Sequence, residues 1–126
     1  MKGTIVSIYP SGAKLTSPFD KPATPEDLKK GVGGGYIERV PMFSTYVDKD
    51  GTVQRCEVFC DEEGKLKRFE INRDATILWY NALIRGGFTE AANALRRGDD
   101  VLVGTIAIVY GDEEFMHGTM HGDDDD

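Results

Sequence analysis

The run VLVGTIAIVY, residues 101–110, is apolar on both parities, so as a strand it offers hydrophobic side chains to both faces of a sheet. A strand of this kind has no solvent side. It belongs in the middle of a sheet covered above and below, or at an interface. Gly104 inside the run marks a bulge or a close approach by another backbone.

The partners for this strand are shorter segments bounded by turn residues. GTIVSIY, residues 3–9, is a β-branched run ended by Pro10, Ser11 and Gly12 and reads as a strand. Residues 13–23 hold Pro18 and Pro22 without periodicity and read as an irregular loop. Residues 36–43 read as a second strand with Pro41 near its end or on an edge, and the turn Asp48-Lys49-Asp50-Gly51 joins a hairpin to residues 52–60. The next turn, Asp61-Glu62-Glu63-Gly64, leads to a strand over 65–71. There Leu66 is out of parity with Phe69 and Ile71, which calls for a bulge or a change of strand near Arg68.

Helix signals are equally local. Thr24 is placed to cap a short helix over 25–30 that begins at Pro25, carries Glu26 and Asp27 in its first turn and Lys29 and Lys30 in its last, and closes at a left-handed Gly31. Asn72 caps the most amphipathic segment, in which Ala75, Leu78, Trp79, Ala82 and Leu83 recur at i, i+3, i+4, i+7 and i+8 before Gly86-Gly87. Thr89 can cap a shorter helix that runs to Arg97 and closes at Gly98. The expected fold is α+β: a single domain over residues 1–110, with an antiparallel-rich sheet of about five strands and two to three helices packed mainly on one face. Residues 111–126 are expected to form an acidic, flexible tail.

The net charge of −7 is a property of that tail. Asp112, Glu113, Glu114 and Asp123 to Asp126 are seven acids without a Lys or Arg among them, and the other fifteen acids match fifteen bases. A nucleic-acid mimic needs acids fixed on a rigid surface at phosphate-like spacing, whereas four terminal aspartates repel one another and remain solvated. Mimicry is thus a third reading only, and a neutral body gives no footing for direct nucleic-acid binding. No apolar run reaches the roughly 18 residues of a membrane span, and the opening MKGTIVSIY is too short an apolar block for a secretory signal. The expected location is cytoplasmic, with no membrane partner.

Cys56 and Cys60 share one face of the strand 52–60. Four residues along a strand separate Cα atoms by about 13 Å, too far for a disulfide, so both read as small buried hydrophobes.

Four of fifteen glycines crowd into GVGGG, residues 31–35. Phosphate loops run from strand to glycines to helix, so that helix N–H groups face the anion. The order here is the reverse, and the third glycine of the dinucleotide fingerprint is missing. The loop therefore reads first as a helix-to-strand connection, with anion binding open only through a local nest of N–H groups.

Catalytic constellations are poorly supplied. His117 and His121 are the only histidines and lie in the tail, no Ser sits in a nucleophile elbow, and the pairs Glu62-Glu63 and Asp99-Asp100 fall at turns. No enzymatic activity and no cofactor are expected. His117, Met120, His121 and the terminal aspartates can take up nickel, copper or zinc adventitiously, but a dedicated metal site needs ligands held in place by structure, which this segment does not announce.

Four stretches in order carry a family resemblance: DLKKGVGGGYIERVPM (27–42), FCDEEGKLKRFEINRDAT (59–76), the helix that follows, and DDVLVGTIAIV (99–109). Together they resemble the domain of unknown function 3846 family, small proteins largely of bacteriophages and other mobile elements. The short helix at 89–97 and the acidic tail are not matched. The resemblance implies a viral or mobile-element provenance, and hence the host cytoplasm, without carrying over any catalytic residue.

Two roles follow. The first is a non-enzymatic interaction protein that binds a host or phage protein, or a second copy of itself, through surplus apolar surface at Trp79, Tyr80 and Ile84, the alternative being that these residues belong to a broad stripe packed against the sheet. The second is a binder of a nucleotide-like anion, held between the glycine loop (Gly33, Gly34, Gly35), the adjacent Tyr36 and Glu38, and the basic cluster Lys65, Lys67 and Arg68.

Overall fold

The computed structural model describes residues 1–121. In chain order these form β1 (Gly3–Ile8), β2 (Lys14–Phe19), α1 (Pro25–Gly31), β3 (Ile37–Arg39), β4 (Thr45–Val47), β5 (Val53–Asp61), α2 (Arg73–Arg85), α3 (Thr89–Arg96), β6 (Ile106–Gly111) and α4 (Glu113–His121). The fold is α+β, a single domain around one antiparallel sheet in the order β2-β1-β6-β5-β3, with β4 pairing to β5 off that path.

The doubly apolar run takes the central place its composition demands. β6 lies between β1 and β5, with Ile108 opposite both Val6 and Val58. Ile106 and Ile108 face a core with Val6, Ile8, Val58, Ala75, Trp79, Leu83 and Leu95, under α2 and α3. Ala107 and Val109 face a second core with Ile5, Leu28, Val32, Phe59 and Phe115, under α1 and α4. The helices therefore divide between both faces, two on each, rather than gathering on one as expected. The reason is β6 itself, whose second apolar parity needs its own cover.

Four local expectations are corrected. Residues 14–19 are an edge strand, not a loop, pairing with β1 from Gly3↔Phe19 to Ile8↔Lys14. Pro18 is tolerable because an edge strand has one row of backbone groups facing solvent. Residues 65–71 are a series of turns, with bonds from the N–H of Lys67 to Glu63 O, Arg68 to Lys65 O and Phe69 to Gly64 O, and Arg68 at φ 58°. Only Ile71 bridges to Val103, and Leu66 points to solvent, which explains the broken parity. The strand of the run 101–110 starts late, at Ile106, since Gly104 turns at φ 71° with its N–H on Glu70 O. A side chain there would meet Phe69 at 2.7 Å, the close approach its glycine announces.

The fourth correction concerns the tail. From Glu113 to His121 the chain is helical, with Asp112 accepting the N–H of Phe115 at 2.8 Å and that of Lys2 at 2.7 Å. Phe115 is fully buried, and Thr119 accepts the Ala23 N–H at 2.9 Å. Residues 122–126, the rest of the expected flexible tail, lie outside the described residues.

The C-terminal ends of α1, α2 and α3 follow one pattern. α1 extends through Gly31, whose Cβ would stand 3.1 Å from that of Ala107, so the glycine lets α1 approach β6. The left-handed residue is Gly33 instead: its N–H meets Lys30 O at 3.0 Å and that of Gly34 meets Lys29 O at 2.7 Å, a Schellman closure. α2 and α3 close likewise at Gly87 and Gly98. The start of α3 differs from expectation, since Phe88 occupies the cap position without a side-chain bond and Thr89 is already helical.

Hydrogen bonds also hold several carboxyls below the ordinary 3.8: the backbone N–H in the Thr24 capping box for Asp27, the Gln54 amide for Asp48 and the Phe115 N–H for Asp112. A lowered folded value means that the unfolded chain binds protons first. The stability these groups contribute is complete above the unfolded value and is lost as pH falls through the folded ones. Melting temperature is expected to be flat from about pH 7 to about 5 and to drop below about pH 4. Thermal scans by circular dichroism check this, and a flat profile down to about pH 2.5 would refute it.

Candidate functional site

At one end of the sheet β1 runs out, β6 begins and β5 ends, and the three ends enclose a cleft of about 520 Å³. One wall is the α1 closure, residues 32–35. A second is Tyr9, Pro10 and Ser11, beyond β1. The third carries Asp61, Lys67, Phe69 and Glu70, with Gly104 and Thr105 between. Its volume falls in the range of small-molecule sites, about 300–1,000 Å³.

Asn72, fully buried, does not line the cleft but holds backbone that leads into it. Its Nδ2 donates to Ile8 O at 2.8 Å and to Gly104 O at 2.9 Å, while its Oδ1 accepts the N–H of Ala75 at 3.0 Å. One side chain thus caps α2 and ties together the two chain segments that lead into the cleft from β1 and toward β6. The sequence announced only the cap.

Asp61 supplies the charged element. Its side chain is 5% exposed, and it accepts from Lys67 Nζ at 2.9 Å and from the Glu63 N–H at 2.8 Å. Burial pushes its carboxyl up, but the Lys67 ammonium and the Glu63 N–H outweigh this and hold it below the ordinary value. Lys67 is correspondingly raised by its bond to Asp61. A side chain at Gly35, already at φ 82°, would stand 2.7 Å from Asp61 Oδ2 and 3.4 Å from Lys67 Nζ. Glycine at 35 thus leaves room for the ion pair as well as for the turn.

The residues expected at a site are only partly brought together. Gly33, Gly34, Gly35 and Lys67 meet in this cleft. Tyr36 is 67% exposed outside it, its carbonyl accepting the Glu62 N–H. Lys65 pairs with Asp100 at 2.9 Å and lines a neighbouring, smaller cleft with Glu38 and Cys60. Arg68 belongs to neither. The anion nest is not formed by the N–H groups of Val32, Gly33 and Gly34, which all point to carbonyls of α1. Trp79, read either as surplus surface or as part of a stripe packed on the sheet, is buried with Nε1 donating to Pro41 O at 3.0 Å, and Tyr80 is half-buried in a shallow groove with Leu95.

Both thiols are free, and burial first of all pushes Cys56 and Cys60 up to about 12, so they stay protonated and are poor nucleophiles at neutral pH. His117 and His121 lie on α4, beside a different groove. The cleft therefore offers hydrogen bonding and shape. Among the described residues no helix is long and apolar enough to cross a membrane. No protein-family model, curated protein or solved structure matches the chain.

Proposed function

We propose that the protein binds a small polar molecule in the cleft at the strand ends. The observation that carries this is the convergence of the bare backbone at Gly33, Gly34 and Gly35 with the Asp61–Lys67 pair in one concave space. The charge balance favours a ligand other than the nucleotide-like anion of the second role offered from sequence. Lys67 is already neutralised by Asp61, and Glu70 adds a second acid, so a phosphate would meet net negative charge. A planar heterocycle with both donors and acceptors fits better, such as a nucleoside or free base. Lys67 has further N–H donors to offer, Glu70 accepts, and Tyr9, Phe69 and exposed peptide planes give flat surface. The resemblance to small phage and mobile-element proteins supplies a setting, sequestration of a host metabolite in the host cytoplasm.

A second reading, docking to a host or phage protein, is favoured by Ile77 and Ile84, 57% and 51% exposed on one side of α2 beside the groove of Tyr80 and Leu95. Amide chemical-shift mapping with nucleosides, their phosphates and amino acids at millimolar concentration separates the readings. Shifts are expected at Gly33, Gly34, Gly35, Lys67 and Thr105, larger for nucleosides than for their phosphates. Silence of the cleft across the panel would overturn the proposal. A native mass showing a complex that Ile77→Asp disperses would transfer the weight to α2.

A further inference from the structure

We propose that His117 and His121 form a metal-binding clamp on α4, selective for borderline transition-metal dications over magnesium and calcium. Four residues apart in a helix, the two imidazoles project from one face on successive turns, and their ring centroids are 4.6 Å apart. The same spacing lets paired histidines of one helix share a zinc ion. Both rings are exposed, so ligation buries no bonded group and requires no unfolding.

Glu113 lies one turn before His117 on the same face, also exposed, and lines the same groove as the two rings, together with Glu57 and the thioether residues Met116 and Met120. Two cations face this groove: Arg39, whose Nε stands 3.4 Å from Glu57, and Arg55. They balance the two acids, so imidazole nitrogen is the donor that decides selectivity. Among the described residues no three His, Cys, Asp or Glu side chains converge on one point, and the clamp is therefore a two-imidazole chelate completed by water. Nitrogen donors and open coordination favour Cu²⁺ over Ni²⁺ and Zn²⁺, with Mg²⁺ and Ca²⁺ excluded. An ion across these turns would staple the C-terminal half of α4, and so the cover of the second core.

Calorimetric titration of the full chain with Cu²⁺, Ni²⁺, Zn²⁺ and Mg²⁺ near neutral pH tests the proposal, alongside His117→Ala, His121→Ala and a variant with Asp123 to Asp126 changed to asparagine. One equivalent of Cu²⁺, Ni²⁺ or Zn²⁺ is expected. Loss of an outer partner of a ligand already costs about 10- to 100-fold in affinity, so losing either imidazole should cost at least about tenfold. The asparagine variant should bind as wild type. Binding that survives both histidine changes but fails in the asparagine variant would overturn the clamp, as would no binding by wild type. His117 and His121 are exposed, so their replacement empties no core site, and circular dichroism confirms the folding of every variant.

Discussion

Replacing Phe115 by alanine is expected to lower the unfolding free energy by about 3–5 kcal/mol, the usual cost of emptying a buried phenylalanine site. That is a large share of the roughly 5–15 kcal/mol available to a domain of this kind. The ring is fully buried among Ile5, Leu28, Val32, Phe59, Ala107 and Val109, with the Phe19 ring centroid 6.0 Å away. It lies in a slot made by the pair Gly3↔Gly111, where β1 and β6 meet without side chains and where a Cβ on either residue would enter the ring. Such a slot cannot be filled by relaxation of its neighbours, because two of its walls are backbone. The measurement is urea denaturation, with a lowered midpoint and an unchanged slope. A loss below about 1 kcal/mol would mean that α4 contributes little to the core and that the segment behaves as the tail its charges suggested.

The fate of α4 shows where sequence was informative and where it was not. α2 was readable because Asn72, the apolar spacing from Ala75 to Leu83 and the glycine stop all agree. α4 carries the same physics in weaker form: one large apolar residue, Phe115, two methionines, and Gly118 in the interior, set among acids that drew attention to solvation. Its stability comes from the slot, a tertiary feature that no local pattern displays. β2 escaped notice for a related reason, since an edge strand exposed on most of its length has little cause to alternate.

The cleft divides similarly. A reader of the sequence can see that the glycines at 33–35 are conformationally special, but the residues that give them chemistry arrive through topology. Lys67 reaches Gly35 because residues 65–71 wind through turns rather than forming a strand, and this winding separates Lys67 from Lys65 and Arg68. The basic cluster of the sequence is therefore not a cluster in space. Trp79 shows a choice that sequence leaves open: its helical position put it on the apolar stripe while the residues around it suggested surplus surface, and the fold decides for the stripe with a socket closed by Pro41 O.

Asn72 gives the second large effect, and its two simplest replacements should rank in an order that surface caps do not show. Asn72→Ala removes a helix cap worth about 1 kcal/mol and takes from the buried Ile8 O and Gly104 O the hydrogen bond that the amide donates to each, at about 0.5–1.5 kcal/mol per bond. The expected loss is roughly 2–4 kcal/mol. Asn72→Asp keeps the size and the cap, and on an exposed helix it would be nearly neutral. Here it converts the donor that bridges two carbonyls into a third acceptor carrying charge, so it should destabilise at least as much as alanine at neutral pH. Burial among acceptors raises the folded pKa of such an aspartate above its unfolded value, so its deficit relative to wild type should narrow as pH falls and the carboxyl regains a donor. Urea titrations of both variants at about pH 7 and about pH 5 read this directly. The cleft should respond in parallel, since Gly104 lines it and Ile8 adjoins Tyr9, so the glycine-loop shifts on adding nucleoside should weaken in either variant. An Asn72→Asp protein as stable as wild type at neutral pH would mean that the two carbonyls do not depend on this amide, and that the start of α2 does not hold the backbone leading into the site.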